Sequence, residues 1–243
     1  MDELRNKNGL TLAEFLAAYD VNKYQRPSVT ADVAVFTLTK YNDTPALCVL
    51  LVKRADHPQI GWHALPGGFV NMDEDTLCAA ARELREETGI EGLPLRQFAT
   101  FGAPDRDVRT RVITLAHYAV APMGGISPLA GDDAAEAELF RVQVRLLCSA
   151  ASAETYRITL HSADESLVCH CQLRYDELGA YSAPLPGGQL ASDHPHVLFS
   201  ALCALNSQPR RRMARLLCKA GACNEDEAIL ALDEALCDLP RRL

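Results

Sequence analysis

No stretch of this sequence reaches the roughly 18 consecutive apolar residues that a bilayer-spanning helix requires, so a membrane partner is not expected. The opening residues, Met1-Asp2-Glu3, lack a basic segment followed by an apolar one, and no secretory leader is visible. Basic residues are the minority, 24 Lys and Arg against 32 Asp and Glu, for a formal net charge of -8. That balance speaks against a dedicated nucleic-acid surface. It does not exclude an anionic small molecule, because a bound divalent cation reverses the local field. Nor is there a pair of CxxC motifs: the nine cysteines are odd in number and scattered. Cys169 and Cys171 are the close pair, at a spacing that puts both on one face of a strand. They read as buried reduced thiols, and the chain as cytoplasmic. Internal repeats and low-complexity tracts are also missing.

What is present suits one large domain or a domain with a modest addition: 243 residues, 48% apolar and 23% charged. Residues 1–28 read as an N-terminal arm, helix-compatible around Thr11–Tyr19. A main domain is expected over 29–206. Strand patterns begin at Val29, with Val33, Val35 and Leu38, and resume at Ala46–Val52 after the turn signal Asn42-Asp43. Asp73 or Asp75 can cap a helix through Thr76–Glu87 that stops at Gly89. Leu95–Phe101 and Arg111–Val120 read as strands, residues 131–142 as an acidic loop leading into a short strand. Tyr156–Leu160 and Ser166–Leu173 form an expected hairpin. Pro184–Gly188 reads as a loop, and Asp193 as the cap of a helix through Val197–Asn206. Residues 207–243 hold a basic patch, Arg210–Arg212, and a helix with the capping box Asn224–Glu227, expected as a helical appendage. Strands and helices mix without a repeating βαβ rhythm, which predicts an α/β fold with layers packed around a mixed sheet.

The helix over Thr76–Glu87 carries Arg82-Glu83-Leu84-Arg85-Glu86-Glu87. At about 100° per residue, Glu86 and Glu87 fall about 60° and 40° to either side of Glu83. Three carboxylates thus share one face within one turn. A solvated acidic face explains this, at roughly 0.2–0.5 kcal/mol of repulsion per pair. So does a site for Mg²⁺ or Mn²⁺, which take hard oxygen ligands.

The surrounding segment, Gly68–Ile90, matches the Nudix box G-x5-E-x7-R-E-U-x-E-E-x-G-U, with U aliphatic, at Gly68, Glu74, Arg82, Glu83, Leu84, Glu86, Glu87, Gly89 and Ile90. Upstream, WHALPGG over Trp62–Gly68 resembles the lead into that box. The chain is identified by these residues as a member of the Nudix hydrolase family. The resemblance implies an α/β/α sandwich around a mixed sheet and Mg²⁺- or Mn²⁺-dependent hydrolysis of a phosphoanhydride. It makes Glu86 and Glu87 the principal metal ligands, with Glu83 a further ligand or the base and the Gly68 carbonyl completing the shell. Arg82 and Glu74 become supporting residues, Arg82 reaching Glu86 one turn along. Glu83, Glu136 and Asp133 stay open as candidate bases.

Outside the box, three details are similar to the branch that includes ADP-ribose pyrophosphatases and related regulators of NAD metabolism: Pro104–Arg109, Gly131–Ala137 and Asp193-His194. This implies a small nucleoside diphosphate compound as partner, ADP-ribose or an ADP-sugar foremost, with Arg106 and Arg109 as substrate-binding forks. The plain reading of those arginines is solvated loop charges paired with Asp105 and Asp107. Arg54, after the strand Ala46–Val52, is a further candidate for the phosphates. His194 and His196 read as packing or capping residues. The alternative is a ligand-sensing transcriptional regulator of NAD metabolism, which needs a winged helix-turn-helix that residues 207–243 do not suggest. The isoprenoid-diphosphate isomerase pattern, with its catalytic cysteine, is not matched. The resemblance also admits a homodimer exchanging its N-terminal arms.

Overall fold

The structure, a computed structural model, describes residues 4–129, 134–219 and 221–241. The arm carries α1 (Leu12–Ala17), capped reciprocally by Thr11 and Glu14 and burying no residue. The strands β1 (Ser28–Tyr41) and β2 (Thr44–Arg54) form a hairpin. Its turn residues Asn42 and Asp43 both have positive φ, 49° and 63°, as a type I′ turn requires. Then come β3 (His63–Ala64), β4 (Gly67–Phe69), α2 (Thr76–Thr88), β5 (Arg96–Phe101) and β6 (Val112–Val120). The second half supplies β7 (Ala134–Ala150), β8 (Ala153–His161), β9 (Ser166–Asp176), β10 (Gly179–Gly188), α3 (His194–Asn206), α4 (Arg210–Leu217) and α5 (Glu225–Leu236).

The described strands make one mixed sheet in the order β10-β9-β8-β7-β2-β1-β6-β5, with β3 against β2 and β4 against β1. Its β1–β6 pair is parallel. Residues 30–38 of β1 are buried on both faces, because alternate side chains enter two different cores. Ala31, Val33 and Val35 meet Ala79, Ala80 and Leu84 of α2. Phe36 and Leu38 enter the larger core with α3, α4 and α5. The α/β/α layering expected from the sequence is what forms. The C-terminal helices are part of it: Met213, Leu217, Leu232 and Leu236 are buried in that larger core.

Two local expectations are corrected. The short strand near residue 140 is the 17-residue β7, whose buried Phe140, Val142 and Val144 alternate with arginine and glutamine between β2 and β8. Pro184–Gly188 is not a loop but the bulged end of β10, where an edge strand tolerates proline. The patch Arg210–Arg212 opens α4, driven by burial of Met213, Ala214 and Leu217 beneath it. Cys169 and Cys171 lie fully buried in the larger core, as their strand spacing suggested. Among the described residues no helix is long and apolar enough to cross a membrane.

Candidate active site

The site is built where β4 wedges between β1 and α2. Gly67 pairs with Asp32 and Gly68 with Ala31. A Cβ on Gly67 would lie 2.4 Å from the Ala31 carbonyl oxygen and 2.6 Å from Asp32 Oδ1. One on Gly68 would lie 2.5 Å from the Glu83 carboxylate. The two glycines therefore let backbone touch a carboxylate on each side. Asp75 resolves the capping question: its Oδ1 accepts from Leu77 N at 2.9 Å, and α2 ends on Gly89 at φ 69°.

Arg82 gathers the acidic face. Its Nε and Nη2 fork onto Glu74 at 3.0 and 2.6 Å, and Nη2 also donates to the Phe69 carbonyl at 3.0 Å. Nη1 donates to Glu83 Oε1 at 2.8 Å and to Glu86 Oε2 at 3.0 Å. Glu87 Oε2 accepts from Gly67 N at 2.9 Å. Burial pushes the Glu83 carboxyl above its ordinary range, against the opposing pull of Arg82. The Arg82 fork, helped by the Asn71 N–H, holds Glu74 down to about 2.

A divalent ion is what the family implies at this face. Among the described residues no three His, Cys, Asp or Glu side chains form a ready cage, since Arg82 is what joins Glu83 to Glu86. The donor chemistry fits nonetheless: hard carboxylate oxygens on one helix face, one of them against the Gly68 backbone.

Glu83, Glu87, Arg82 and Gly68 line a cleft of about 1260 Å³, and so do Arg54, Arg106 and Arg109. Each arginine has a partner. Arg54 Nε donates to the Pro58 carbonyl at 2.7 Å, bracing its own loop. Arg106, its side chain 5% exposed, forks onto Asp193 at 2.9 and 2.8 Å and lies 3.8 Å from Asp32. That corrects two readings: Asp193 turns its carboxylate to Arg106 and makes no side-chain cap on α3, and Arg106 is paired with Asp193 instead of Asp105. Arg109 does take the pairing the plain reading foresaw, with Asp107 at 3.0 and 2.8 Å, and it also stacks over the Phe69 ring at 5.3 Å.

Glu86 and Glu136 fall outside the lining contributed by the described residues. Glu136 is exposed on β7 and pairs with Lys53 at 3.3 Å. Asp133 lies outside the described residues. His194 Nδ1 accepts from Leu65 N at 2.9 Å, and His196 packs edge-on against Phe101 at 4.9 Å, both bracing roles. Asp32 was missed: it is 6% exposed, accepts from Thr114 Oγ1 at 2.6 Å and lines the cleft. Its one sequence signal is a carboxylate inside the apolar run of β1.

A glycine strand lies against an acidic helix face and opens on a cleft lined by arginines, an arrangement suited to an anionic ligand. A family model described as the NUDIX domain matches residues 30–157. The chain belongs to the Nudix family. It is 37% identical over 124 residues to the ADP-ribose pyrophosphatase of Methanocaldococcus jannaschii, covering 50% of this chain and 68% of that protein. It is 38% identical over 108 residues to the ADPR responsive transcriptional repressor NtrR of Acinetobacter baylyi, covering 44% of this chain and only 42% of the repressor's length. A crystal structure of a MutT/nudix family protein from Enterococcus faecalis superimposes with a TM-score of 0.63 at 26% identity, over 93% of this chain and 88% of that one.

Proposed function

We propose that this chain is a metal-dependent Nudix pyrophosphohydrolase acting on ADP-ribose or a close ADP-sugar, giving AMP and a sugar phosphate. The observation that carries the reading is the Arg82 cluster, which holds Glu74, Glu83 and Glu86 together beside the Gly67–Gly68 backbone at the cleft. Glu86 and Glu87, with the Gly68 carbonyl, would hold Mg²⁺ or Mn²⁺. Such an ion screens phosphate charge and acidifies a bound water.

The chain's own residues do the rest. Water oxygen bonds to one phosphorus, the bridging P–O bond breaks, and the displaced phosphate leaves with that oxygen. A carboxylate takes the water's proton. Of the described candidates, Glu83 is the one in the cleft, and its raised proton affinity suits a base. Arg109, 44% exposed, adds positive charge where the diphosphate would lie. Arg106 and Arg54 position the loops that frame it.

Support for the substrate comes from the named pyrophosphatase relative and from the Pro104–Arg109 loop at the cleft. A hydrolysis panel of ADP-ribose, other nucleoside diphosphate sugars, dinucleoside polyphosphates and nucleoside triphosphates, with Mg²⁺, Mn²⁺ or EDTA, tests it. Turnover of triphosphates with ADP-ribose inert would remove the substrate assignment. The similarity to a repressor motivates a second arm. Salt-sensitive DNA binding released by ADP-ribose, without turnover, would replace the enzyme by a sensor.

A further inference from the structure

Among the described residues that line the cleft, one large aromatic side chain has no ring or cation partner. Three large aromatic side chains line it: Trp62, Phe69 and Phe101. Phe69, 43% exposed, carries the Arg109 guanidinium over one face of its ring. Phe101 is buried edge-on against His196 and Phe98. Trp62 has no ring or cation partner among the described residues, yet 42% of its surface is exposed. An indole is a large apolar surface, and leaving that much of it in water is unfavourable unless something covers it.

The loop beneath this indole is firmly held. Trp62 O accepts from Arg54 N at 2.9 Å, and Trp62 N donates to Gln59 O at 3.2 Å. Arg54 Nε ties Pro58 into the same loop, and Gln59 Oε1 accepts from Ser192 N at 2.9 Å, fastening it to the segment before α3. A half-exposed indole on a backbone held in this way loses little backbone freedom when a flat partner arrives. Trp62 is also only six residues from Gly68, a reach of at most about 22 Å, so one ligand can span the indole and the glutamate face.

We infer that Trp62 is the platform on which the nucleobase of the substrate stacks, with the diphosphate directed toward Glu83 and Arg109. This rests on the proposed nucleoside diphosphate substrate and adds which end of it lies where. It assigns base selectivity by stacking, so purine nucleotides bind better than bare sugar phosphates.

Trp62 is the sole tryptophan of the chain, so intrinsic fluorescence reads the site directly. In EDTA, which prevents turnover, AMP and ADP-ribose should quench the emission and ribose 5-phosphate should not. With metal restored, Trp62→Ala should raise KM for ADP-ribose about 5- to 150-fold, the range for one lost base–aromatic stack, with kcat much less affected. Trp62→Phe should recover most of the loss. Equal quenching by ribose 5-phosphate, or an unchanged KM in Trp62→Ala, would overturn the platform while leaving hydrolysis intact. AMP quenching in a protein that hydrolyses no nucleoside diphosphate would support the platform and remove the hydrolase reading instead.

Discussion

Arg106 and Asp193 are joined by two parallel hydrogen bonds, 2.9 and 2.8 Å long, across 87 residues of sequence. Each was expected to do something else, the arginine to bind substrate and the aspartate to cap a helix. Their pairing ties the Pro104–Arg109 loop to the start of α3, and Ser192 Oγ donates to the Arg106 carbonyl in the same junction. With Asp32 3.8 Å away, the guanidinium serves one buried carboxylate and one partly buried carboxylate.

Arg106→Ala should therefore destabilise the fold by about 3–5 kcal/mol, because it leaves buried Asp32 and partly buried Asp193 without their cation. Equilibrium urea unfolding measures this. Wild-type stability with only a raised KM would return Arg106 to the role of a substrate ligand.

Glu86→Gln and Glu87→Gln should each lower kcat by at least about 100-fold at saturating Mg²⁺, beyond the 10–100-fold usual for groups that merely support a ligand. Stability without metal should hold or rise for Glu86→Gln, which removes charge from a crowded acidic face. Near-normal turnover in either variant would refute the metal assignment.

The two glycines of β4 should respond differently. Gly67→Ala drives a methyl into the Ala31 carbonyl and Asp32, backbone that cannot yield, and should cost at least about 1–3 kcal/mol. Gly68→Ala first meets the end of the Glu83 side chain. It should fold normally and lose activity as that carboxylate is displaced. Thermal melts beside initial rates separate the two.

Acid should weaken the fold through buried imidazoles. Burial holds His117 and His196 below their ordinary 6.5, opposed by Asp32 and Asp75 for the first and Asp193 for the second. The unfolded chain then binds protons at a higher pH than the folded one. Stability is full above about 6.5 and is lost as pH falls toward the lower folded values. Tm should drop between pH 7 and 5, and His117→Leu should flatten part of that slope.

Leu232→Ala in α5 should cost about 2–5 kcal/mol, since Leu232 is fully buried in the core that α5 shares with the sheet. A melt unchanged from wild type would show that the C-terminal helices are a separable addition.

The parts legible from sequence alone are those written within one or two turns of chain. The acidic face of α2, its stop at Gly89, the Asn42–Asp43 hairpin and the Asn224–Glu227 capping box all depend on neighbours three or four residues away. Helical and turn geometry places such residues without reference to the rest of the molecule. Tertiary structure alone decided the partners of Arg106, the burial of Asp32 against Gly67, the length of β7 and the conversion of Pro184–Gly188 from loop to edge strand. Those depend on which strands pair and in what register, and a slip of one residue would send every side chain of a strand to the opposite face.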